Sequence, residues 1–452
     1  MESTEERSPL LERKLSTSTK IAYALGHIFN DLTAAMWFSY TLIYFQRVAL
    51  LEPIVAGALL LLGQIIDAFM TPIFGMLVDR YLKKKIWHII GSVMITLSFP
   101  VIFGGFSEPS NAGIMLVYVL SIAVFQTGWA AVQISHLSMI PALTDSLLAR
   151  ADLTAISDFE LYGAFRYSAQ VGAAVAVFVV TWIVLPANEG AMMRLAEQDS
   201  YKFRNIVLTL TSIGLLATVL FHVFLKGNLL ENSDPRKGNV EEARRLFDNP
   251  QNDRTITWVS TSILLRVAML YVASRLFITL ATVYLPLYIE ETDVNGKEAL
   301  ATVPLVSYLS SFVAALLLKY INKSCGTKAC YLLGTLIGIL SAVITKYGGN
   351  STAIIYIVAI LIGSGSSITM VTALSVTAEI IGPRTERSAI VYSIVTFLDK
   401  VVTGLVVISI ERWRCTEPAF CPNYNRDTLA LVCVLSMSLG LVTLFSVSRC
   451  LT

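Results

Sequence analysis

Several polar and ionisable side chains, and one tryptophan, stand at helical spacing inside stretches of sequence that are otherwise apolar. In chain order they are His27, Asn30, Asp31, Gln64, Asp67, Thr71, Gln126, Trp129, Gln133, His136, Arg275, Asp399 and Lys400. Residues three or four positions apart share one face of a helix. The first three therefore form one polar stripe, the next three a second and the following four a third. Such groups suit the binding of a small polar solute or a proton.

An ionisable residue inside a membrane span is costly unless it faces a water-filled cavity or a partner. We therefore expect a central cavity lined by spans 1, 2, 4 and 7. Arg275 could hold a carboxylate there and Asp31 or Asp67 an ammonium, so a zwitterion would satisfy both charges. A proton could bind at Asp67 or at His136, which would couple transport to a pH gradient.

Simpler roles remain open for the same residues. Arg275 and Asp399 could form a buried ion pair that only joins two helices. Lys400 could extend its ammonium to the membrane surface or pair with a neighbouring carboxylate. His27 could simply be hydrated near the cytosolic surface.

The composition predicts the kind of secondary structure that carries these polar groups. Of the 452 residues, 55% are apolar and only 15% are charged, whereas a soluble protein carries about 25% charged residues. Apolar runs of about 20 residues recur along the chain, and each can cross the bilayer as a helix. The sequence predicts an all-α polytopic membrane protein with spans near 20–45, 54–79, 86–106, 113–141, 161–186, 205–226, 264–289, 300–321, 329–347, 353–381, 389–411 and 428–449.

The longest polar segment divides these spans into two sets of six. We predict a tail over 1–19, a six-helix bundle over 20–226, a linker over 227–263 and a second bundle over 264–452. The basic residues cluster on the side of the tail and the linker, so both termini are predicted to be cytosolic. The sequon at Asn350 then lies on the far side, where glycans are added, and the sequon at Asn322 stays unmodified.

Other classes of protein lack support in the sequence. A net charge of +2 argues against nucleic acid as a partner. No HExxH, GxSxG or phosphate-binding glycine loop is present, so the sequence predicts no enzyme, cofactor or metal site. Cys415 and Cys421 share the last far-side loop and are either bridged or free. A membrane-embedded scaffold or sorting protein is the remaining alternative, but it would not need polar stripes.

The segment GMLVDRYLKKK at 75–85 resembles the signature of the major facilitator superfamily, G-x-x-x-D-R followed by a basic cluster. The resemblance implies a fold of twelve transmembrane helices in two six-helix bundles. It also implies that Gly75 allows close helix packing and that Asp79 and Arg80 latch the two halves on the cytosolic side. The corresponding segment in the second half, LKYINKSCGTK, is degenerate.

Within that superfamily, Asp31 together with QIIDAFMTPIFGMLVDR resembles the branch of glycoside-pentoside-hexuronide:cation symporters. That branch has two aspartates four residues apart in span 2 that help to hold the coupling cation. Here Asp67 occupies the first position and Thr71 the second, a departure that argues against sodium coupling.

Further stretches, among them FQTGWAAVQISHLSMIP and FLDKV, resemble members of this branch that carry cysteine into lysosomes and pigment organelles. The resemblance implies a carrier that imports cysteine into such organelles. We expect it to be a monomer in contact with membrane lipid. The alternative is a cation-coupled symporter of another solute in the same branch, a sugar or a lysolipid.

The segment EERSPLL in the tail resembles the acidic dileucine signal read by clathrin adaptors. Glu6, Leu10 and Leu11 are its defining residues. Such a signal is an address read by a receptor and does not anchor the chain. It predicts a lysosomal or melanosomal membrane as the location.

Overall fold

Twelve long α-helices make up the part of the chain that the computed structural model describes. The described residues are 17–81, 84–106, 111–139, 164–185, 194–225, 261–292, 296–381, 385–415 and 420–448. The helices are α1 Thr17–Ile43, α2 Pro53–Tyr81, α3 Lys84–Ile102, α4 Ala112–Ser138, α5 Ala164–Val184, α6 Ser200–Phe224, α7 Thr261–Thr292, α8 Gly296–Cys325, α9 Thr327–Tyr347, α10 Thr352–Ile381, α11 Thr385–Arg412 and α12 Tyr424–Ser448.

Each predicted span coincides with one of these helices, which confirms the all-α fold class. Nine helices of the described ranges are long and apolar enough to cross a membrane. The other three are α1, α5 and α11; α1 and α11 carry part of the polar residues described above, and the apolar part found in α5 is short, Val171–Val184. The tail signal with Glu6, Leu10 and Leu11, and most of the linker, lie outside the described residues.

The helices form two six-helix bundles, α1–α6 and α7–α12. Between them, α1 packs against α7, α2 against α11 and α5 against α8. We call the side that holds residues 17, 81, 84 and 225 the tail face. The far face is the opposite side, which holds the C-terminal ends of α1, α3, α5, α7, α9 and α11.

Large apolar side chains cover the outside of both bundles. Examples are Met76, Leu97, Ile183, Val223 and Leu336, each more than half exposed. A soluble protein would rarely leave so much contiguous apolar surface open. These side chains therefore face lipid, and the polar residues of the sequence are left for the interior.

Glycines bring neighbouring helices into close contact. A Cβ built at Gly91 of α3 would lie 2.7 Å from the carbonyl oxygen of Gly128 in α4, and one at Gly128 would lie 2.8 Å from that of Gly91. Small residues at such crossings allow backbones to approach in membranes. In α10, a Cβ at Gly363 would lie 2.0 Å from the carbonyl oxygen of Ser307 in α8. The segment GSGSS at 363–367 of α10 thus serves close helix packing.

Hydroxyl groups in α10 bond back to their own helix. Each donates to a carbonyl oxygen three or four residues earlier in the chain: Ser366 to Gly363, Thr369 to Gly365, Thr372 to Ile368 and Ser375 to Val371. This arrangement satisfies the hydroxyl groups without a partner from another helix.

The chain leaves α1 through a single π-helical turn, Tyr44–Val48, on the far face. Tyr44 and Phe45 are fully buried there. Tyr44 packs against Phe103, just after α3, and against Phe203 of α6, and Phe45 packs against Tyr118 of α4. π turns frequently occur at functional positions. Here the turn directs Gln46 and Arg47 towards the second bundle.

Candidate functional site

An ion pair connects the two bundles near the middle of α2 and α11. The Nζ of Lys400 lies 2.6 Å from Oδ2 of Asp67 and donates a hydrogen bond of 3.0 Å to the hydroxyl of Thr71. Asp67 is only 4% exposed. Removing charges from water is costly unless they are paired and hydrogen-bonded, so Asp67 and Lys400 stabilise each other.

Thr71 occupies the position where the symporter branch has a second aspartate. Its hydroxyl lies 2.8 Å from the carbonyl oxygen and 3.1 Å from Oδ1 of Asp67. A hydroxyl can donate once and also accept, so it donates to Asp67 while accepting from Lys400. The ammonium of Lys400 thus contacts both Asp67 and Thr71.

Trp129 of α4 forms one side of the same site. The Nζ of Lys400 lies 5.8 Å from the centre of its ring, a distance at which a cation is attracted to the aromatic face. The indole N–H of Trp129 donates to the carbonyl oxygen of Asn30 at 3.3 Å. Helices α1, α2, α4 and α11 therefore meet at this point.

A second ion pair lies beside the first but within the second bundle. The Nε of Arg275 in α7 lies 3.1 Å from Oδ2 of Asp399, and the hydroxyl of Thr403 lies 3.4 Å from Oδ1. Asp399 is buried, whereas the side chain of Arg275 is one-third exposed. Because Asp399 and Lys400 are neighbours in α11, one turn of this helix is paired with both α7 and α2.

A small cavity lies next to Asp67. Its lining residues come from α1, α2 and α4: Ala34, Trp37, Phe38, Gln64, Asp67, Phe125, Gln126 and Trp129. The indole N–H of Trp37 is buried and has no hydrogen-bond partner among the described residues. The cavity thus combines aromatic walls, two amides and one carboxylate.

The remaining polar residues of α1 and α4 occupy other positions. Asp31 pairs with His27, with 2.8 Å between Oδ1 and Nδ1. His136 is fully buried and stacks on Tyr23 at 4.1 Å between ring centres, and it does not line the cavity. The Oε1 of Gln133 is buried without a hydrogen-bond partner within the described ranges.

The predicted latch residues lie at the tail-face end of α2. A Cβ at Gly75 would meet nothing within 4 Å, and Arg80 is exposed, with its guanidinium 5.8 Å from the ring centre of Tyr81. The side chain of Asp79 lies outside the described part of the structure.

Hydrogen bonds and ion pairs across the two bundles close the far face. Gln46 donates to Oε2 of Glu411 at 2.8 Å, and the Nε of Arg47 lies 2.5 Å from Oε2 of Glu290. The same carboxylate of Glu411 accepts from Tyr284 at 2.9 Å and from Arg414 at 3.0 Å. We call Gln46, Arg47, Tyr284, Glu290, Glu411 and Arg414 the far-face network.

Three further contacts across the bundles flank this network. Tyr40 donates to the carbonyl oxygen of Leu300, Trp182 donates to Glu298 and Lys297 pairs with Asp199. No residue of the far-face network is among those predicted from the sequence. In a sequence, acidic and basic residues at the ends of spans look like solvated loop charges. Their partners become visible only in the folded structure, where the π turn after α1 brings Gln46 and Arg47 to Glu411 and Glu290.

Two further features lie on the far face. A disulfide joins Cys415 and Cys421, whose Cα atoms are 6.3 Å apart, within the usual range for such bonds. Asn350 is exposed in the turn before α10. No group of three or more His, Cys, Asp or Glu residues with metal-binding geometry occurs among the described residues.

These elements define a class of membrane transporter. A sequence profile of the family described as MFS/sugar transport protein matches residues 22–410. The chain therefore belongs to the major facilitator superfamily and is a secondary transporter of that superfamily.

Relatives narrow this assignment. The chain is 35% identical to "Major facilitator superfamily domain-containing protein 12" of Equus caballus, over 88% of this chain and 85% of the relative. It is 34% identical to the protein of the same name from Homo sapiens, over the same shares of the two chains. Among solved structures, a D-xylose-proton symporter has the same fold, with a TM-score of 0.70 and 14% identity over 94% of this chain and 96% of that one.

Proposed function

We propose that the protein imports cysteine from the cytosol into the lumen of lysosomes or pigment organelles by alternating access. One observation carries the proposal: two ion pairs lie near the middle of the helices where the two bundles meet. Helix α11 contributes the base to the first pair, Lys400 with Asp67, and the acid to the second, Asp399 with Arg275. Transporters of this architecture bind solutes near the bilayer midplane between their repeats.

A zwitterion matches both halves of this charge arrangement. The ammonium of cysteine would replace Lys400 at Asp67, while its carboxylate would bind Lys400 or Arg275. The side chain of Arg275 is accessible, which suits a group that exchanges partners. Gln64 lines the same cavity, and Gln133 has a free acceptor. Asp31 and His136 would act from the tail-face side.

The choice of cysteine rests on the resemblance of α4 and α11 to cysteine carriers of lysosomes and pigment organelles. The same resemblance supports an organelle location. The carrier would act as a monomer in contact with membrane lipid. Both termini would be cytosolic, so a clathrin adaptor could read Glu6, Leu10 and Leu11. The tail face would then open to the cytosol and the far face to the lumen.

In this cycle the far-face network must open to release cysteine. Gly75, Asp79 and Arg80 would latch the bundles on the tail face while it does. The domain division, with a tail over 1–19, bundles over 20–226 and 264–452 and a linker over 227–263, lets the bundles move against each other.

The runner-up is a cation-coupled symporter of a sugar or a lysolipid. The family description favours a sugar, and Trp37 and Trp129 in the cavity wall could stack on a sugar ring. A lysolipid would need a pocket for its acyl chain, whereas the cavity carries amides and a carboxylate. Cysteine remains the better match because its ammonium and its carboxylate can each pair with a charged side chain of the site.

The test is uptake of ³⁵S-cysteine into proteoliposomes that contain the purified protein, with the variant Asp67→Asn as the inactive control. We expect saturable uptake that unlabelled cysteine suppresses and that cystine, xylose and lysophosphatidylcholine do not. Uptake equal to that of empty liposomes would refute the proposal. Suppression by xylose would favour the sugar symporter instead.

A further inference from the structure

The cavity beside Asp67 is a small space at the junction of α1, α2 and α4. Its free space is about that of a single water molecule, judged by the volume that a buried water requires. It therefore has room for the end of a side chain and not for a whole solute. Four aromatic residues form most of its wall: Trp37 and Phe38 of α1, and Phe125 and Trp129 of α4.

Trp37 brings a hydrogen-bond donor without a partner to this cavity. The residue is 2% exposed, and its indole N–H has no hydrogen-bond partner among the described residues. Such buried, unsatisfied donors are rare in native proteins and call for an explanation. An indole N–H can only donate, so a bound solute that ends in an acceptor would supply the partner.

Gly63 of α2 fixes Trp37 beside an amide. A Cβ built at Gly63 would lie 2.8 Å from Cζ2 of Trp37 and 3.0 Å from Nε2 of Gln126. The backbone of α2 therefore lies directly against both side chains. The ring of Trp37 also packs against that of Phe125, with 5.4 Å between ring centres. Because it is held from two sides, the indole has little freedom to move.

The charged groups of the proposed binding site border the same cavity. Asp67 lines it and pairs with Lys400, whose Nζ lies over the ring of Trp129 in the cavity wall. An amino acid whose ammonium replaces Lys400 at Asp67 would have its side chain within reach of the cavity. Cysteine carries its thiol on a single methylene group, so only the sulfur would need to enter.

The walls suit a thiol better than a hydroxyl group. Sulfur makes favourable contacts with aromatic rings, and a thiol behaves as a small apolar group that donates only weakly. Its sulfur also accepts weakly, which is what the N–H of Trp37 requires. A hydroxyl group is costly to bury unless it is fully hydrogen-bonded, and aromatic walls do not provide those bonds.

We propose that this cavity is the subsite for the side chain of the substrate, that it takes the thiol of cysteine, and that Trp37 is the residue that selects it. The inference rests on the proposed transport of cysteine and adds the residue that distinguishes cysteine from amino acids of similar shape. Asp67, Lys400 and Arg275 would hold the charged ends of the substrate, so the effect of Trp37 can be separated from theirs.

The test compares cysteine with two amino acids of nearly the same shape. L-2-aminobutyrate has a methyl group and L-serine a hydroxyl group where cysteine has its thiol. Each would compete with ³⁵S-cysteine for uptake into proteoliposomes that contain the full-length protein, in oxygen-free buffer. For the wild type, we expect the inhibition constant of unlabelled cysteine to be at least threefold lower than that of either analogue, which is the effect of about one hydrogen bond.

Trp37→Phe removes the N–H and keeps an aromatic ring. We expect the inhibition constant of cysteine to rise at least threefold and that of 2-aminobutyrate to stay the same, so that the preference disappears. A role in packing alone would weaken both compounds by the same factor or lower only the maximal rate. Trp413→Phe is the matched control, since Trp413 is exposed on the far face, and it should keep the wild-type constants.

Gly63→Ala tests the same subsite from α2. The added Cβ would push against Trp37 and Gln126 and narrow the cavity. We expect cysteine and 2-aminobutyrate to bind at least threefold more weakly, whereas glycine, which has no side chain, should keep its inhibition constant. Gly172→Ala is the matched control, because a Cβ at Gly172 meets nothing within 4 Å.

The outcomes separate this inference from the proposed function. Equal constants for cysteine and 2-aminobutyrate in the wild type, or equal losses of both in Trp37→Phe, would overturn the subsite and leave cysteine transport intact. Tighter binding of serine than of cysteine would show that the cavity selects a hydroxyl group and would overturn the assignment to a thiol. Absence of cysteine uptake by the wild type would refute the proposed function, and the inference that rests on it would fall as well.

Discussion

The ammonium of Lys400 in α11 lies 2.6 Å from the carboxylate of Asp67 in α2, so a buried ion pair joins the two bundles of the transporter. In the proposed cycle of alternating access these bundles would move against each other, and a solute at their junction would exchange for either member of the pair. The pair is therefore both a structural contact and the central part of the proposed binding site.

Removing one member of this pair should destabilise the protein, and removing both should restore stability without restoring transport. An unpaired buried charge costs about 3–5 kcal/mol, whereas neutral replacement of both partners is often tolerated. We expect a lower melting temperature for Asp67→Asn and for Lys400→Gln, and a near wild-type value for the double variant. All three should lose at least tenfold in uptake. Full uptake by Asp67→Asn would contradict the proposed site.

Arg275 should be required for transport as a cation with a planar guanidinium. Arg275→Ala leaves Asp399 buried without its partner, and Arg275→Lys keeps the charge but loses the geometry suited to carboxylates. We expect uptake to fall at least tenfold in the first variant and by a smaller factor in the second. Arg266→Ala is the matched control, since Arg266 lies in the same helix and donates to the backbone of Ser446. Equal uptake by Arg275→Ala and Arg266→Ala would exclude a role in binding.

Weakening the far-face network should open the far face. Gln46→Ala removes one hydrogen bond to Glu411 across the bundles and leaves the bonds from Tyr284 and Arg414 in place. A bond to a charged acceptor contributes about 1.5–3 kcal/mol, so the open population should rise roughly tenfold or more. Distances between spin labels at the exposed positions Leu50 and Tyr347 would measure this change.

A matched control for the far-face experiment is Tyr356→Phe. It removes a hydrogen bond of 2.7 Å to Thr302 that lies wholly within the second bundle. The label distances in this variant should equal those of the wild type. If both variants lengthen the distances equally, general loosening and not the contact between bundles explains the effect.

The Cys415–Cys421 disulfide should stabilise the far-face turn between α11 and α12. It closes a short loop of chain, for which loop entropy gives about 2 kcal/mol. We expect Cys415→Ser to lower the melting temperature under oxidising conditions. Cys325→Ser, which changes an exposed free thiol, should leave it unchanged. Alkylation of Cys421 in the untreated wild type would show that the bond does not form in membranes.

Changing Leu10 and Leu11 to alanine should move the protein from organelles to the plasma membrane. The tail would lose the residues that a clathrin adaptor reads, while the transporter itself stays folded. Fluorescence microscopy of the tagged protein would measure the change, with the exposed leucines Leu116 and Leu120 of α4 changed to alanine as a control outside the tail. Retention of the double variant in lysosomes would show that another segment carries the address.

The sequence predicted the fold well because its signal is repeated along the chain. Long apolar runs indicate transmembrane helices, and polar stripes indicate helix faces that are turned away from lipid. Lys400 was left with two possible behaviours, and the contact with Asp67 depends on packing between residues 333 positions apart, which periodicity cannot reveal. His136 shows a second limit, in which helical spacing predicts a role that packing does not support. Its spacing places it on the stripe with Gln133, but its ring packs against Tyr23 and not against the cavity.

The hydroxyl groups of α10 that bond back to their own helix affect how easily this helix bends. They share carbonyl oxygens that the backbone N–H groups also use, which weakens the ladder of the helix and lets it curve. Helix α10 is also pressed against α8 at Gly363, so it cannot simply slide past that neighbour. Helix α10 is therefore suited to bend while it stays in contact with α8, so the second bundle can change shape with little loss of packing.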